Sequence, residues 1–197
     1  VAELERHVRE YGFKMVQFQA NMHAYRPDRA KDWLRPAMQK CAELGVLVKL
    51  HTGDGPYSIP TEWAPIIQEF PNINFIMAHF GVQTGGVYCF EPFQMAMDLP
   101  NVYCESAWCL QSRIVEFAKD LPVSKILYGS DTPPNEPGMW LRLLEVLTHE
   151  PPQGMNLDED TLEEYLGNNL ARMIGLAPSP RPQSVEQARA MLAKPVV

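Results

Sequence analysis

Three side chains that can bind metal ions follow apolar runs of the sequence, two imidazoles and one carboxylate. His51 follows the run 46–50, His79 follows 73–78, and Asp131 follows 125–130. Imidazole and carboxylate groups are ligands of first-row metal ions, zinc above all. A single histidine at such a position is more often an ordinary hydrogen-bonded residue than a ligand. Three aligned residues of ligand type instead favour a metal site.

Alternating strand and helix patterns are expected to position these residues. Strands are predicted over 13–19, 46–50, 73–78, 102–106 and 125–128, and helices over 4–11, 31–44, 61–70, 86–99, 113–121, 139–148 and 160–175. Strands joined by helical crossovers run parallel, so the fold class is α/β, either a doubly wound sheet or part of a (β/α)8 barrel. No nucleotide-binding glycine loop follows a strand, which disfavours the nucleotide-binding form of the doubly wound sheet. In a parallel barrel the strands' carboxyl ends share one face, where the three residues would converge.

Composition limits the classes of partner. The chain has 197 residues, is 46% hydrophobic and 21% charged, and carries a formal charge of −7, as a globular protein of one domain does. The acidic balance and the lack of a basic cluster argue against nucleic acid, and the apolar runs are too short to span a membrane. The cysteines lack C-x-x-C spacing and are predicted to be reduced thiols of a cytoplasmic protein.

The sequence resembles the amidohydrolase-related family of metal-dependent hydrolases that includes aminocarboxymuconate-semialdehyde decarboxylase. The motifs that carry the resemblance are Leu50-His51-Thr52-Gly53, Ala78-His79-Phe80-Gly81, Tyr128-Gly129-Ser130-Asp131-Thr132-Pro133 and residues 167–176. The resemblance implies an incomplete (β/α)8 barrel of TIM type, with about five βα units that correspond to strands four to eight. Residues 1–176 would form this C-terminal part of the barrel, and 177–197 would form a proline-rich linker and a short C-terminal helix.

The resemblance also implies a role for each residue of the site. His51 and Asp131 would bind one divalent metal ion, zinc being the usual ion and manganese occurring in some relatives. His79 would orient or activate a metal-bound water, and Asp131 would also accept a proton. The first predicted strand carries Gln17 and Gln19 where binuclear relatives place a bridging carboxylate, which favours a single ion.

Three functions remain open. The first is hydrolysis of a C–O or C–N bond in a small molecule by a metal-activated water, and the second is non-oxidative decarboxylation of an aromatic or unsaturated acid. The third is a non-catalytic barrel fragment or interaction subunit, because the family's H-x-H ligand pair of strand one does not occur in this sequence. An open five-strand arc would expose strand edges and apolar interior, so we expect a homo-oligomer or pairing with the missing half of the barrel.

Further residues are candidates for substrate binding because of their positions in the predicted βα units. Asp54, Tyr57 and Trp108 lie in loops of the predicted active face and are candidate substrate-binding residues. Arg26 and Arg113 are possible binding groups for an acidic substrate.

Lys49 lies two residues before His51, so the strand period directs both side chains into the barrel. A buried lysine needs a partner, and Glu105 is predicted to form an internal ion pair with it.

Overall fold

Residues 1–81 and 88–177 are described by a computed structural model, and they contain one sheet of five parallel strands. The strands follow one another in chain order across the sheet. They are β1 (Met15–Phe18), β2 (Leu47–Leu50), β3 (Phe75–Met77), β4 (Val102–Glu105) and β5 (Ile126–Leu127). This order confirms the predicted α/β class and the incomplete barrel of five βα units. The predicted linker and C-terminal helix of 177–197 lie outside the described residues, apart from Ala177.

Helices connect the strands and follow the last of them. They are α1 (Ala2–Tyr11), α2 (Lys31–Leu44), α3 (Ala64–Glu69), α4 (Phe90–Asp98), α5 (Gln111–Phe117), α6 (Pro137–Glu145), α7 (Glu159–Glu163) and α8 (Asn169–Met173). A π-helical turn, Glu164–Asn168, joins α7 to α8. Gly12 and Gly45 end α1 and α2 in the left-handed conformation, with φ of 69° and 64°, which glycine adopts without steric cost.

Two helix starts differ from the predicted ones. The helix predicted over 61–70 begins one residue earlier, with the 3-10 turn Pro60–Trp63, and the Thr61 N–H donates to the Glu91 carboxylate. The last helical segment begins at Glu159 because Asp158 is its cap, accepting the N–H of Thr161 at 2.8 Å.

The two faces of the sheet are buried by different elements. The outer face packs against the helices around fully buried side chains, which include Leu34, Met38, Trp63, Ile67, Phe75 and Phe117. On the inner face Leu47, Ile76 and Leu127 are buried against Leu170, Met173 and Ile174, in and just after α8, the last helix of the described residues. The prediction that the apolar interior would be exposed is therefore wrong for these three inner-face residues, because α8 covers them.

Side chains also anchor the amino-terminal ends of β4 and β5 through backbone carbonyls. The Lys125 ammonium donates to the carbonyls of Leu99, Pro100 and Val102 at 3.1, 2.6 and 2.9 Å. The buried Asn169 amide donates to the carbonyls of Val123 and Ile126 at 2.8 and 3.1 Å. These bonds connect neighbouring βα units at the end of the sheet opposite to the three predicted site residues.

Candidate metal and active site

Two buried histidines lie side by side at the carboxyl ends of β2 and β3. His51 follows β2 directly, and His79 lies two residues after β3 in the 3-10 turn Ala78–Gly81. Their ring centroids are 4.9 Å apart and the rings are inclined by 73°, with 4% and 2% of the two residues exposed. His79 and Phe80 have φ of 63° and 49°, in the left-handed region that side chains other than glycine seldom enter. The parallel sheet therefore brings together the imidazoles of two units, as the sequence predicted.

The two imidazoles differ in their hydrogen bonding. His51 Nε2 lies 2.8 Å from Asp54 Oδ2, so this predicted substrate-binding residue contacts the histidine. His79 Nδ1 is buried without a hydrogen-bond partner among the described residues. Burial lowers the pKa of His79; nearby Glu105 and Asp131 oppose the shift, whereas His51 and Lys49 add to it. His79 is consequently a neutral imidazole near pH 7.

Asp131 lies beyond the end of β5, close enough to His79 to act on its pKa. The indole N–H of Trp108, in the loop after β4, donates to Asp131 Oδ2 at 2.8 Å. Trp108 and Asp131 both have positive φ, 65° and 56°. The ring of Trp108 lies 6.3 Å from that of Trp140. Trp108 was predicted to bind substrate, and the structure adds a contact with the predicted carboxylate of the site.

The types of donor side chain at this site, imidazole and carboxylate, are those that bind divalent transition-metal ions. The site has two imidazoles, a nearby carboxylate and, at His79 Nδ1, a buried ring nitrogen that needs a partner. Within residues 1–81 and 88–177, no three His, Cys, Asp or Glu side chains form a group that could hold an ion. The assignment of His51 and Asp131 as ligands, and of His79 and Asp131 as catalytic residues, stays a prediction.

A buried carboxylate lies beneath the histidines. Glu105 Oε2 is 3.3 Å from the Lys49 ammonium, which confirms the predicted ion pair. The same oxygen accepts the backbone N–H of His79 at 3.3 Å, and Oε1 accepts the N–H of Ala107 at 2.6 Å. A β-carbon on Gly129 would overlap the Glu105 carboxylate. The sequence indicated the ion pair, but the contact with His79 depends on backbone geometry and was missed.

The remaining candidates for substrate binding lie in less direct positions. Tyr57 is partly buried and packs against the hydrophobic core. Arg26 pairs with Glu62 at 2.7 Å, and Arg113 pairs with Glu116 at 2.6 Å. An acidic substrate would therefore have to compete with a carboxylate of the chain itself for either guanidinium group.

A cavity of about 580 Å³ lies between the start of α5 and α6, and the two histidines do not line it. Leu110, Val115, Trp140 and Leu143 supply its apolar walls, and Gln111 and Gln153 supply amide groups. Trp140 also neighbours Trp108, so this cavity borders the loop that contacts Asp131.

The chain belongs to the amidohydrolase family: the family model described as Amidohydrolase matches residues 1–176. This membership agrees with the resemblance found in the four sequence motifs. No curated protein matches the chain. Within the described residues, no helix combines the length and the apolar character needed to cross a membrane.

Several solved structures share the fold. An uncharacterised TIM-barrel protein from Bordetella bronchiseptica has a TM-score of 0.69 at 18% identity, over 88% of this chain and 61% of that one. A dihydroxybenzoic acid decarboxylase from a Polaromonas species, solved with bound manganese and the inhibitor 2-nitroresorcinol, has a TM-score of 0.61 at 16% identity, over 88% and 64%. The 4-oxalomesaconate hydratase of Rhodopseudomonas palustris has a TM-score of 0.60 at 18% identity, over 98% and 63%.

These similarities establish the barrel fold. The chain spans 61 to 64% of the length of the three matched structures. Enzymes of the amidohydrolase family depend on metal ions, and the Polaromonas structure contains one.

Proposed function

We propose that this chain carries part of the active site of a metal-dependent enzyme that hydrolyses a C–O or C–N bond in a small molecule. The observation that carries the proposal is the pair of buried imidazoles, 4.9 Å apart at the carboxyl ends of β2 and β3. The Nδ1 of His79 supports it, because a buried polar atom is normally satisfied and this one has no hydrogen-bond partner in the described part of the chain. Membership of a metal-dependent family supports it independently.

In this proposal His51 and Asp131 hold one divalent ion, with zinc as the expected metal because imidazole and carboxylate oxygen suit it. A bound ion would polarise the substrate carbonyl and make water more acidic. Asp54 fixes the orientation of the His51 ring through its 2.8 Å contact. His79, neutral because burial lowers its pKa, can accept a proton from water, and Asp131 can receive it in turn.

Decarboxylation of an aromatic acid is the second candidate, and the indole pair near Asp131 favours it. Trp108 donates a hydrogen bond to Asp131, and the ring of Trp140 lies beside that of Trp108. The aromatic ring of a substrate could therefore stack on an indole near the carboxylate. The dihydroxybenzoic acid decarboxylase with the same fold supports this candidate. In that reaction Asp131 or His79 would deliver a proton to the ring carbon that loses carbon dioxide.

We further propose that the chain acts in a larger assembly, as a homo-oligomer or paired with further barrel strands. β1 and β5 are the edges of the described sheet, and Phe13 beside β1 is 51% exposed. If such a partner is required for chemistry, the chain alone is an interaction subunit. A cytoplasmic location stays a prediction, supported by four buried cysteines without a disulfide.

Calorimetric titration of the metal-stripped chain with Zn²⁺ and with Mn²⁺ tests the site. His51→Ala and His79→Ala should each weaken binding at least about tenfold, because ligands and their neighbours both govern affinity. The matched control is His149→Ala at an exposed position, which should bind as the wild type does. Binding that neither site variant alters would refute the proposed site.

Product analysis separates the two reactions. The metal-loaded protein is incubated with a lactone, an anilide and a dihydroxybenzoate, and release of carbon dioxide is measured beside hydrolysis. Size determination by light scattering on the same sample reports the assembly. Decarboxylation without hydrolysis would replace the first proposal by the second.

A further inference from the structure

The carboxylate of Glu105 joins three consecutive units of the barrel beneath the histidines. It is 4% exposed. Its Oε1 accepts the N–H of Ala107, and its Oε2 accepts the N–H of His79 and pairs with Lys49. Each of the two oxygens therefore has a backbone N–H partner, and the ion pair uses only one of them.

We propose that Glu105 is a positioning residue that sets the orientation of the His79 imidazole. The proposal rests on the proposed function in that His79 is the group being positioned. The His79 backbone has φ 63° and ψ 13°, a conformation that costs free energy in any residue with a side chain. Its N–H points to Glu105 in this conformation, and the hydrogen bond compensates part of that cost. The same backbone angles direct the ring to its place 4.9 Å from His51.

Only a carboxylate suits this position. A glutamine has one acceptor oxygen and one amide nitrogen that can only donate. Whichever way it turned, its NH₂ would face either the N–H of Ala107 or that of His79. An alanine would leave both N–H groups buried and unpaired.

Gly129 supplies the space for this arrangement. A β-carbon there would overlap the Glu105 carboxylate, and Lys49 holds the carboxylate from another side. Gly129 thus leaves space for the buried carboxylate, Lys49 supplies a positive charge, and the backbone N–H groups of His79 and Ala107 supply hydrogen-bond donors.

The simpler alternative is that Glu105 serves only as the counter-ion of Lys49. The two explanations differ in what they predict for Glu105→Gln and for Lys49→Met. If Glu105 is only a counter-ion, both variants remove the same ion pair and should have the same effect on His79. If Glu105 positions His79, then Lys49→Met keeps both backbone hydrogen bonds and only Glu105→Gln breaks one.

Long-range ¹H–¹⁵N spectra of the histidine rings test this at a fixed pH of about 8, where imidazoles are neutral. The full chain is used, His79 is assigned with His79→Ala, and the exposed His149 is the internal reference. We expect Glu105→Gln to change the ring-nitrogen shifts or the tautomer of His79. We expect Lys49→Met to leave them close to wild type. The matched control Glu116→Gln, which breaks the exposed ion pair with Arg113, should change neither.

Equal His79 spectra in Glu105→Gln and wild type, or equal changes in Glu105→Gln and Lys49→Met, would overturn the proposal. If Glu105→Gln does not fold, Glu105→Asp replaces it, because the shorter side chain keeps the charge but cannot span the N–H groups of both His79 and Ala107 as Glu105 does. Zn²⁺ titration forms a separate arm, in which Glu105→Gln should bind about tenfold more weakly than wild type. A wild-type chain that binds no metal would refute the proposed function, while the spectra would still decide the role of Glu105.

Discussion

Replacing Gly129 by alanine adds a single methyl group at the most crowded point beneath the site. The new β-carbon would overlap Oε1, Cδ and Cγ of Glu105. Glu105 cannot swing towards solvent, because it is 4% exposed and is held by Lys49 and by two backbone N–H groups. Either the carboxylate gives up these partners or strand β5 moves away from β4.

Two effects determine how much Gly129→Ala destabilises the fold. Inserting a methyl group into a packed interior typically costs about 1–3 kcal/mol. Losing a hydrogen bond to a charged group costs about 1.5–3 kcal/mol more. We therefore expect Gly129→Ala to lower the free energy of unfolding by about 2.5–6 kcal/mol, a large share of the roughly 5–15 kcal/mol that stabilises a typical domain.

Urea denaturation followed by circular dichroism measures this change. Gly167→Ala is the matched control, because Gly167 lies in the helical turn Glu164–Asn168 and a β-carbon there would meet nothing within 4 Å. That variant should be neutral or more stable by up to about 1 kcal/mol, since alanine favours helices. A Gly129→Ala protein within about 0.5 kcal/mol of the wild type, or equal to Gly167→Ala, would contradict the steric argument.

Three further outcomes are expected. Asn169→Leu should lower the free energy of unfolding by about 2 kcal/mol or more in the same assay, because it removes two hydrogen bonds to backbone carbonyls, one of them buried; an unchanged midpoint would contradict this. Hydrogen bonds from Thr161 lower the pKa of Asp158, so the carboxylate stabilises α7 fully above about pH 3.8, and this stabilisation is lost as the pH falls through the lower pKa of the folded state. The helical circular dichroism signal of the wild type should therefore fall in this acid range, and this part of the fall should be absent from Asp158→Asn; the same fall in the variant would contradict the argument. Burial raises the pKa of the Cys104 thiol, so a disulfide reagent at pH 8 should modify it only after urea unfolds the chain, and rapid modification of the native protein would refute this.

The strands and the direction of their side chains could be predicted from the sequence, because both depend on local patterns of apolar residues. The apolar runs before His51 and His79 predicted two neighbouring parallel strands, and parallel topology then required both rings to lie on one face. Period two within β2 directed Lys49 to the same side as His51, which predicted its ion pair with Glu105.

The features that sequence did not predict depend on backbone conformation or on competing local signals. Left-handed φ at His79, Trp108 and Asp131 cannot be read from residue types that usually avoid it. The hydrogen bond from the Trp108 indole to Asp131 and the hydrogen bond from the His79 backbone N–H to Glu105 both follow from those conformations. In the acidic stretch 158–164 several residues could cap a helix, and Asp158 is the one with extended backbone angles.

The last helix could be predicted as a helix but not placed. Its amphipathic pattern does not say whether the apolar stripe meets the outer or the inner face of the sheet. Leu170 and Met173 pack against the inner-face cluster of Leu47, Ile76 and Leu127, which only the tertiary structure determines.

The bonds of Lys125 and Asn169 to backbone carbonyls have a consequence for engineering. Because they fasten β4 and β5 at the rim remote from the histidines, these bonds do not involve the loops at the carboxyl ends of the strands. Those loops can be exchanged for others of different length or polarity, as in a graft that seeks new substrates, while the opposite rim keeps the strands in register.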